Sequence, residues 1–312
     1  MRKRGRRMMA GAAAVLLCAC LGGCATEEAP GPGICYRVSG GSGTMYVLGS
    51  IHVGNDRMKR FSPAITSAME AADVFVFECD TQSEEARRTI ARLMRGETPL
   101  KEQLTAATYD LLYRAAEQQR IPMDSLDALR PWAVASQLSA RVAAIQLGVK
   151  DASAALALGV EERVHAGVNG RETLWLETPE EQLSILDGFS QPLHDELVKS
   201  ACQLLLEPKT ADLKMWPDWW QSGNTDAFVA AYQKENELTD PALTQEYHDG
   251  LVTTRNRRMA ERLHTLLTAE EPHCYFVTVG LLHLVLPEDS VLWELEQMGY
   301  QVERLEEGRT AT

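Results

Sequence analysis

The chain has 312 residues, with 44 acidic side chains against 31 basic ones and a formal net charge of −13. Five of the basic residues (Arg2, Lys3, Arg4, Arg6 and Arg7) precede the apolar stretch 8–21, so removing that leader takes the charge from −13 to −18. Acidity of this degree argues against nucleic acid as a partner and against direct adhesion to anionic lipid.

Residues 1–23 read as a cleaved export signal. The apolar stretch is too short to span a bilayer, and Leu21-Gly22-Gly23-Cys24 resembles a lipobox. Cleavage there places a lipid on Cys24 and tethers an exported protein to a membrane on its extracytoplasmic side, without any spanning helix. Residues 24–33, with Pro30, Gly31, Pro32 and Gly33, read as a flexible tether, and the folded domain is expected over 34–312. Four of the seven cysteines, Cys35, Cys79, Cys202 and Cys274, fall in that domain at spacings that match no zinc knuckle or Cys-x-x-Cys pattern. An exported domain permits disulfides. Even so, Cys79 and Cys274 lie in apolar strand-like runs, which reads as buried free thiols.

In chain order, 35–38 and 44–48 predict a hairpin across the turn Gly40-Gly-Ser-Gly43. Ser62 as N-cap and Pro63 at the first helical position open a helix to residue 72, and the run 74–77 is a strand that delivers Glu78. Together these predict a βαβ-type start. The middle reads as mostly helical: 103–119, from Pro131 to about 147, and 159–166. A strand over 173–176 comes after the turn Asn169-Gly170. Thr178-Pro-Glu-Glu181 then predicts a capping box, with helices over 180–206, 224–235 and 240–268. Trp216, Trp219 and Trp220 read as a packing cluster. The end returns to α/β with a strand over 273–279, a helix over 289–298 closed by Gly299, and a strand over 300–305. The fold class expected is α/β, one domain with a mixed sheet, βα units at both ends and a large helical insert between them.

Two segments repeat a pattern. Tyr46-Val-Leu-Gly49-Ser-Ile-His52 and Phe276-Val-Thr-Val-Gly280-Leu-Leu-His283 are each an apolar strand ending in Gly-x-x-His. Ligands gather at the carboxyl ends of strands in open α/β sheets. If these strands are neighbours, His52, His283 and Glu78 can converge, and two imidazoles with one carboxylate suit a catalytic divalent transition metal such as Mn, Co or Zn. Glu78 is read as a ligand or as the general base for the attacking water, and Glu177, which ends its own strand, as a second catalytic carboxylate. Arg255 is a candidate for stabilising an anionic intermediate, although spacing alone places it with Arg257, Arg258 and Arg262 on a solvated helix face. His165, His194, His248, His264 and His273 lack a repeated context and read as structural or surface residues. No Gly-x-Ser-x-Gly, His-Glu-x-x-His or phosphate loop is present.

These residues resemble the TraB/GumN family, which includes pheromone-shutdown proteins and is similar to the animal Tiki proteins. The resemblance runs from about Tyr46 to Leu305. It is carried by Gly49-Ser-Ile-His52, Glu78, Pro131-Trp132, Gly159-Val160, Leu176-Glu177-Thr178 with Gln182, Arg255-Asn256, Gly280-Leu-Leu-His283-Leu284 and Gly299-Tyr300-Gln-Val302. It implies a metal-dependent hydrolase fold centred on His52, Glu78, Arg255 and His283, and by similarity to Tiki proteins a metalloprotease acting on an extracytoplasmic peptide or protein. The chain departs from the pattern at Glu161, where aspartate is usual, and at Leu286, where glycine is common and a bulkier side chain is expected to narrow the site or change its loop. Two other readings stand beside this one. One is a non-catalytic lipoprotein that sequesters a peptide, a metal or a haem-like ligand, and the other is an esterase-like hydrolase that uses the histidines and Glu78 without a metal.

Overall fold

The computed structural model describes residues 31–55, 58, 60–207, 212–235, 238 and 240–306. The expected signal 1–23, the lipid-bearing Cys24 and most of the expected tether lie outside these residues. The last of the tether is bound to the domain rather than loose. The Gly33 N–H donates to the Gln221 carbonyl at 3.2 Å, and Arg304 donates to the Gly33 carbonyl at 3.3 Å.

Six strands form: β1 (Cys35–Ser39), β2 (Thr44–Ser50), β3 (Val74–Cys79), β4 (Glu172–Glu177), β5 (Cys274–Gly280) and β6 (Gln301–Arg304). They form one sheet in the order β4-β3-β5-β2-β1-β6. β4, β3, β5 and β2 run parallel, while β1 pairs antiparallel with both β2 and β6. The expected hairpin is β1–β2. The expected βαβ start differs in one respect: β2 and β3 are parallel but not adjacent, because β5, drawn from far along the chain, lies between them. Local spacing cannot specify which strand fills that gap.

The inner parallel strands β2, β3 and β5 are buried on both faces, as their nearly continuous apolar sequences require, while the edge strand β4 is part-exposed. Phe75, Phe77 and Phe276 point to one side, where they meet Ile65 of helix Pro63–Ala71, Val164 of helix Val160–Gly167, and Trp220. Val74, Val76, Val277 and Val279 point to the other, against Met259 and Leu263 of helix Thr254–Leu267 and Leu295 of helix Val291–Gln297. Residues between β3 and β5 build a separate helical core. Leu112 of helix Ala106–Gln119, Leu138 of helix Pro131–Leu147 and Val198 of helix Gln191–Leu206 pack there. The helical insert therefore has its own apolar centre, and the α/β class with one mixed sheet is the fold observed.

Local signals act where expected. Ser62 caps its helix by accepting from the Ile65 N–H, and Thr178 and Glu181 form the reciprocal capping box. Gly148 and Gly223 end helices in the left-handed conformation. Several elements go unread in the sequence, among them helix Glu84–Met94, helix Trp216–Ser222 and a π-helical turn, Asp249–Thr253, that divides the expected long helix just before Arg255. Trp220 is buried, and its indole N–H donates to the Gly49 carbonyl at 2.7 Å, tying the tryptophan cluster to the strand that leads to His52. Trp216 and Trp219 both pack edge-on against Phe228. The four domain cysteines are free; Cys35, Cys79 and Cys202 are buried, and Cys274 is half-buried.

Candidate functional site

The two Gly-x-x-His segments lie on neighbouring parallel strands, one residue out of step, with Gly49 opposite Val279 and Ser50 opposite Gly280. Two backbone bonds fix the chain just past these strand ends. The Leu281 N–H donates to the Ser50 carbonyl at 2.7 Å, and the Val160 N–H donates to the Ile51 carbonyl at 3.1 Å. Gly159 is required for the second, because a Cβ there would lie 2.4 Å from the His52 carbonyl oxygen. β3 delivers Glu78 on the far side of β5, and β4 delivers Glu177 beyond it. Glu78, Glu177, His283 and His52 thus come from the carboxyl ends of four consecutive parallel strands, the usual ligand position in such sheets.

Arg255 is buried at the centre of this group, with 5 % of its surface exposed. This corrects the expected solvated face. Val252, Arg255, Asn256, Met259, Ala260, Leu263 and Leu267 are all buried, so Arg255 belongs to the helix's inward stripe. Its Nη2 donates to Glu78 Oε1 and, at 2.5 Å, to Glu177 Oε2; its Nε donates to the same Glu177 oxygen at 3.0 Å. Nη1 turns to His283 Nε2 at 3.2 Å. Arg262, by contrast, is part-exposed and pairs with Glu181 at 2.6 Å.

Glu78 has further partners. Its Oε1 accepts from Gln182 Nε2 at 2.8 Å, and its Oε2 accepts from the Gly280 N–H at 2.9 Å. The Thr178 capping box sets where the next helix starts, and so brings Gln182 over Glu78. Burial pushes the Glu78 carboxyl upward, but the Arg255 charge above all, with the Gly280 N–H, holds it well below the usual carboxylate range. Burial likewise drives His283 down to about 4; Glu78 opposes this shift and Arg255 adds to it. Its Nδ1 lies 2.5 Å from Asn256 Oδ1.

His52 stands apart from this buried group. Its side chain is 59 % exposed, and Nδ1 lies 3.3 Å from Glu161 Oε2. The hydrogen bond with Glu161 moves the imidazole upward despite partial burial. Water around so exposed a ring screens the pair. His52 and Glu78 share a cleft of about 320 Å³ lined also by Leu156, Glu161, Glu162 and Gln182. Leu286 does not crowd this cleft. It is buried beside a separate cavity of about 670 Å³, with Tyr232, His248 and Asp289.

The donor set suits a divalent transition ion in its chemistry. Each histidine turns Nδ1 to a side-chain oxygen, as ligating histidines generally do, and an ion on His283 Nε2 would take the place of the Arg255 Nη1 contact there. Glu78 Oε2 accepts one hydrogen bond and keeps a lone pair. Two carboxylates against one guanidinium leave the buried cluster a unit of negative charge, which favours a cation. The donors are not drawn into a cage: among the described residues, no three His, Cys, Asp or Glu side chains are grouped to hold an ion. His283 Nε2 and Glu78 Oε2 stand 4.0 Å apart.

The sequence profile of the TraB/PrgY/gumN family matches residues 34–304. The chain belongs to that family. The match covers the whole sheet and every side chain of the site. Searches of curated proteins and of solved structures found no match.

Three residues of this family member's site carry little signal by residue type alone: Gln182, Glu161 and Asn256. The first two are reached through helix starts at Thr178 and Gly159. The third is legible only from the inward stripe that also holds Arg255.

Removing one partner of a buried ion group leaves the others uncompensated. Arg255→Leu is therefore expected to lower unfolding free energy by about 3–5 kcal/mol, read by urea denaturation. The neutral buried His283 sets a second expectation for the metal-free protein. Unfolded, its imidazole takes a proton near 6.5, but folded only near about 4. The unfolded state binds more protons between those values, so this contribution is complete above pH 6.5 and is lost as pH falls towards 4. His52, shifted upward, acts in the opposite sense, its contribution falling as pH rises above 6.5. His283→Gln should flatten the acid side of the stability–pH curve, and an unchanged slope would contradict a neutral buried imidazole.

Proposed function

We propose that this TraB/PrgY/gumN family member is an exported lipoprotein and a metal-dependent hydrolase, a peptidase acting on extracytoplasmic peptides or proteins. The observation that carries the reading is the meeting of two Gly-x-x-His strands as parallel neighbours beside Glu78, with both Nδ1 atoms facing side-chain oxygens. His52 and His283 would hold a Mn, Co or Zn ion through Nε2, and Glu78 through Oε2. The ion supplies Lewis-acid polarisation of the scissile carbonyl when bound.

The protein's own groups divide the remaining work. A general base works best with a pKa near the operating pH. Glu78 is held far below that, which favours the ligand role over the base role. Arg255 orients Glu78 and Glu177 and turns Nη1 to His283 Nε2, and would stabilise a developing oxyanion only by releasing that contact. Glu177, sealed from water, anchors Arg255 rather than touching substrate. Glu161, on the open wall of the cleft, pairs with His52 Nδ1 and so orients that imidazole for ligation.

Elemental analysis tests the reading directly. About one divalent transition ion per chain is expected in the wild type. It should be lost, with peptide turnover, in a folded His52→Ala/His283→Ala variant. Full metal content in that variant would sink the ligand assignment. The engagement of Arg255 with both glutamates favours a second reading, a non-catalytic binder, which would take up ligand saturably and release no product whatever ion is supplied. The anchor has its own test: Cys24→Ser should move the protein from the membrane fraction to the soluble exported fraction, and unchanged membrane association would refute lipidation at that residue.

A further inference from the structure

Asn256 is fully buried, 0 % exposed, beside Arg255 on helix Thr254–Leu267. Its Nδ2 donates to the Asp289 carbonyl at 2.5 Å, and its Oδ1 faces His283 Nδ1, also at 2.5 Å. A carbonyl can only accept, so the amide arm against Asp289 is the NH2 group and the arm against His283 is the oxygen. That oxygen in turn can only accept, which puts a proton on His283 Nδ1. The other side of the ring gives the same answer. Arg255 Nη1 lies 3.2 Å from Nε2 and has no lone pair to offer, so a proton on Nε2 would set donor against donor.

The carbonyl that orients Asn256 has an unusual origin. Asp289 adopts a φ of +60°, a left-handed conformation uncommon outside glycine and better tolerated by Asp and Asn than by most residues. Thr253, in the π-helical turn, donates to its Oδ2 at 3.3 Å. Asp289 also precedes Ser290, which caps helix Val291–Gln297. Thr253, Asp289, Asn256 and His283 thus form one chain of hydrogen bonds, from the turn that interrupts the long helix to the buried imidazole.

We propose that Asn256 is a positioning residue that holds His283 as the single Nδ1–H tautomer and so keeps Nε2 unprotonated, its lone pair facing Arg255 Nη1 at 3.2 Å and Glu78 Oε2 at 4.0 Å. A histidine side chain free in water favours the opposite tautomer, so the preference must come from the protein. The tautomer stands on hydrogen-bond geometry alone, whereas its use in ligation rests on the hydrolase reading.

Nitrogen-15 NMR of the full-length chain, recorded at about pH 8 where a free imidazole is neutral, reads the tautomer directly. The His283 ring signals are assigned by their loss in His283→Gln. The wild type should show a pyrrole-like Nδ1 and a pyridine-like Nε2. A pyrrole-like Nε2, or an averaged pair, would overturn the proposal whether or not any variant folds. Asn256→Leu removes the acceptor at similar volume and should lose the single tautomer. Full retention of Nδ1–H in a folded Asn256→Leu protein would assign the lock to Arg255 alone and overturn the role given to Asn256. Asn256→Asp keeps an acceptor against Nδ1 and should retain the wild-type pattern, while loss of the pattern there would count against it. Titration with zinc alone separates this from the hydrolase reading. Asn256→Leu should bind about 10–100-fold more weakly. A wild type that binds no zinc would end the ligand assignment but leave the tautomer result standing.

Discussion

A guanidinium buried between two carboxylates is the feature around which the site is organised. Arg255 reaches Glu78 and Glu177 from a helix on one face of the sheet, while the two glutamates come from adjacent parallel strands. None of the three charges tolerates burial alone. The sheet edge and the helix are therefore coupled electrostatically as well as through the apolar contacts of Met259 and Leu263. The same contact sets the chemistry: it keeps Glu78 ionised, helps keep His283 neutral, and leaves a net negative charge where a cation would be welcome.

The two histidines, alike in sequence context, are given different characters by their partners. His283 is buried between a neutral amide and a cation and stays uncharged. His52 is open to water against a carboxylate and is drawn towards its protonated form. The repeated motif hides this asymmetry, because it arises from Asn256 and Glu161, which are supplied by helices outside both repeats.

Much of the scaffold is legible in the residues themselves. Ser62, Thr178 and the helix-ending glycines act through contacts a few residues away, so their reading needs no tertiary knowledge. The apolar runs around Gly49, Val76 and Val277 fix strands by composition. The convergence of His52, Glu78 and His283 on one sheet edge also comes from strand-end placement once the strands are neighbours. The burial of Arg255 was within reach, since the spacing of Val252, Met259, Leu263 and Leu267 marks the inward stripe. Counting it with the neighbouring arginines misses that phase. The π-helical turn Asp249–Thr253 shows no such signal in its residues.

Neighbours along the chain are enough to set the local grammar: the strands, the caps, the helical insert and the two Gly-x-x-His strand ends. Membership in the TraB/PrgY/gumN family rests on the same residues taken in order. Three outcomes exist only in the assembled fold: β5 enters between β2 and β3, Arg255 bridges two glutamates, and Asn256 and Glu161 each meet one histidine. They depend on pairing and charge compensation between segments far apart in the chain, where the free energy of a contact belongs to neither residue until both are buried together.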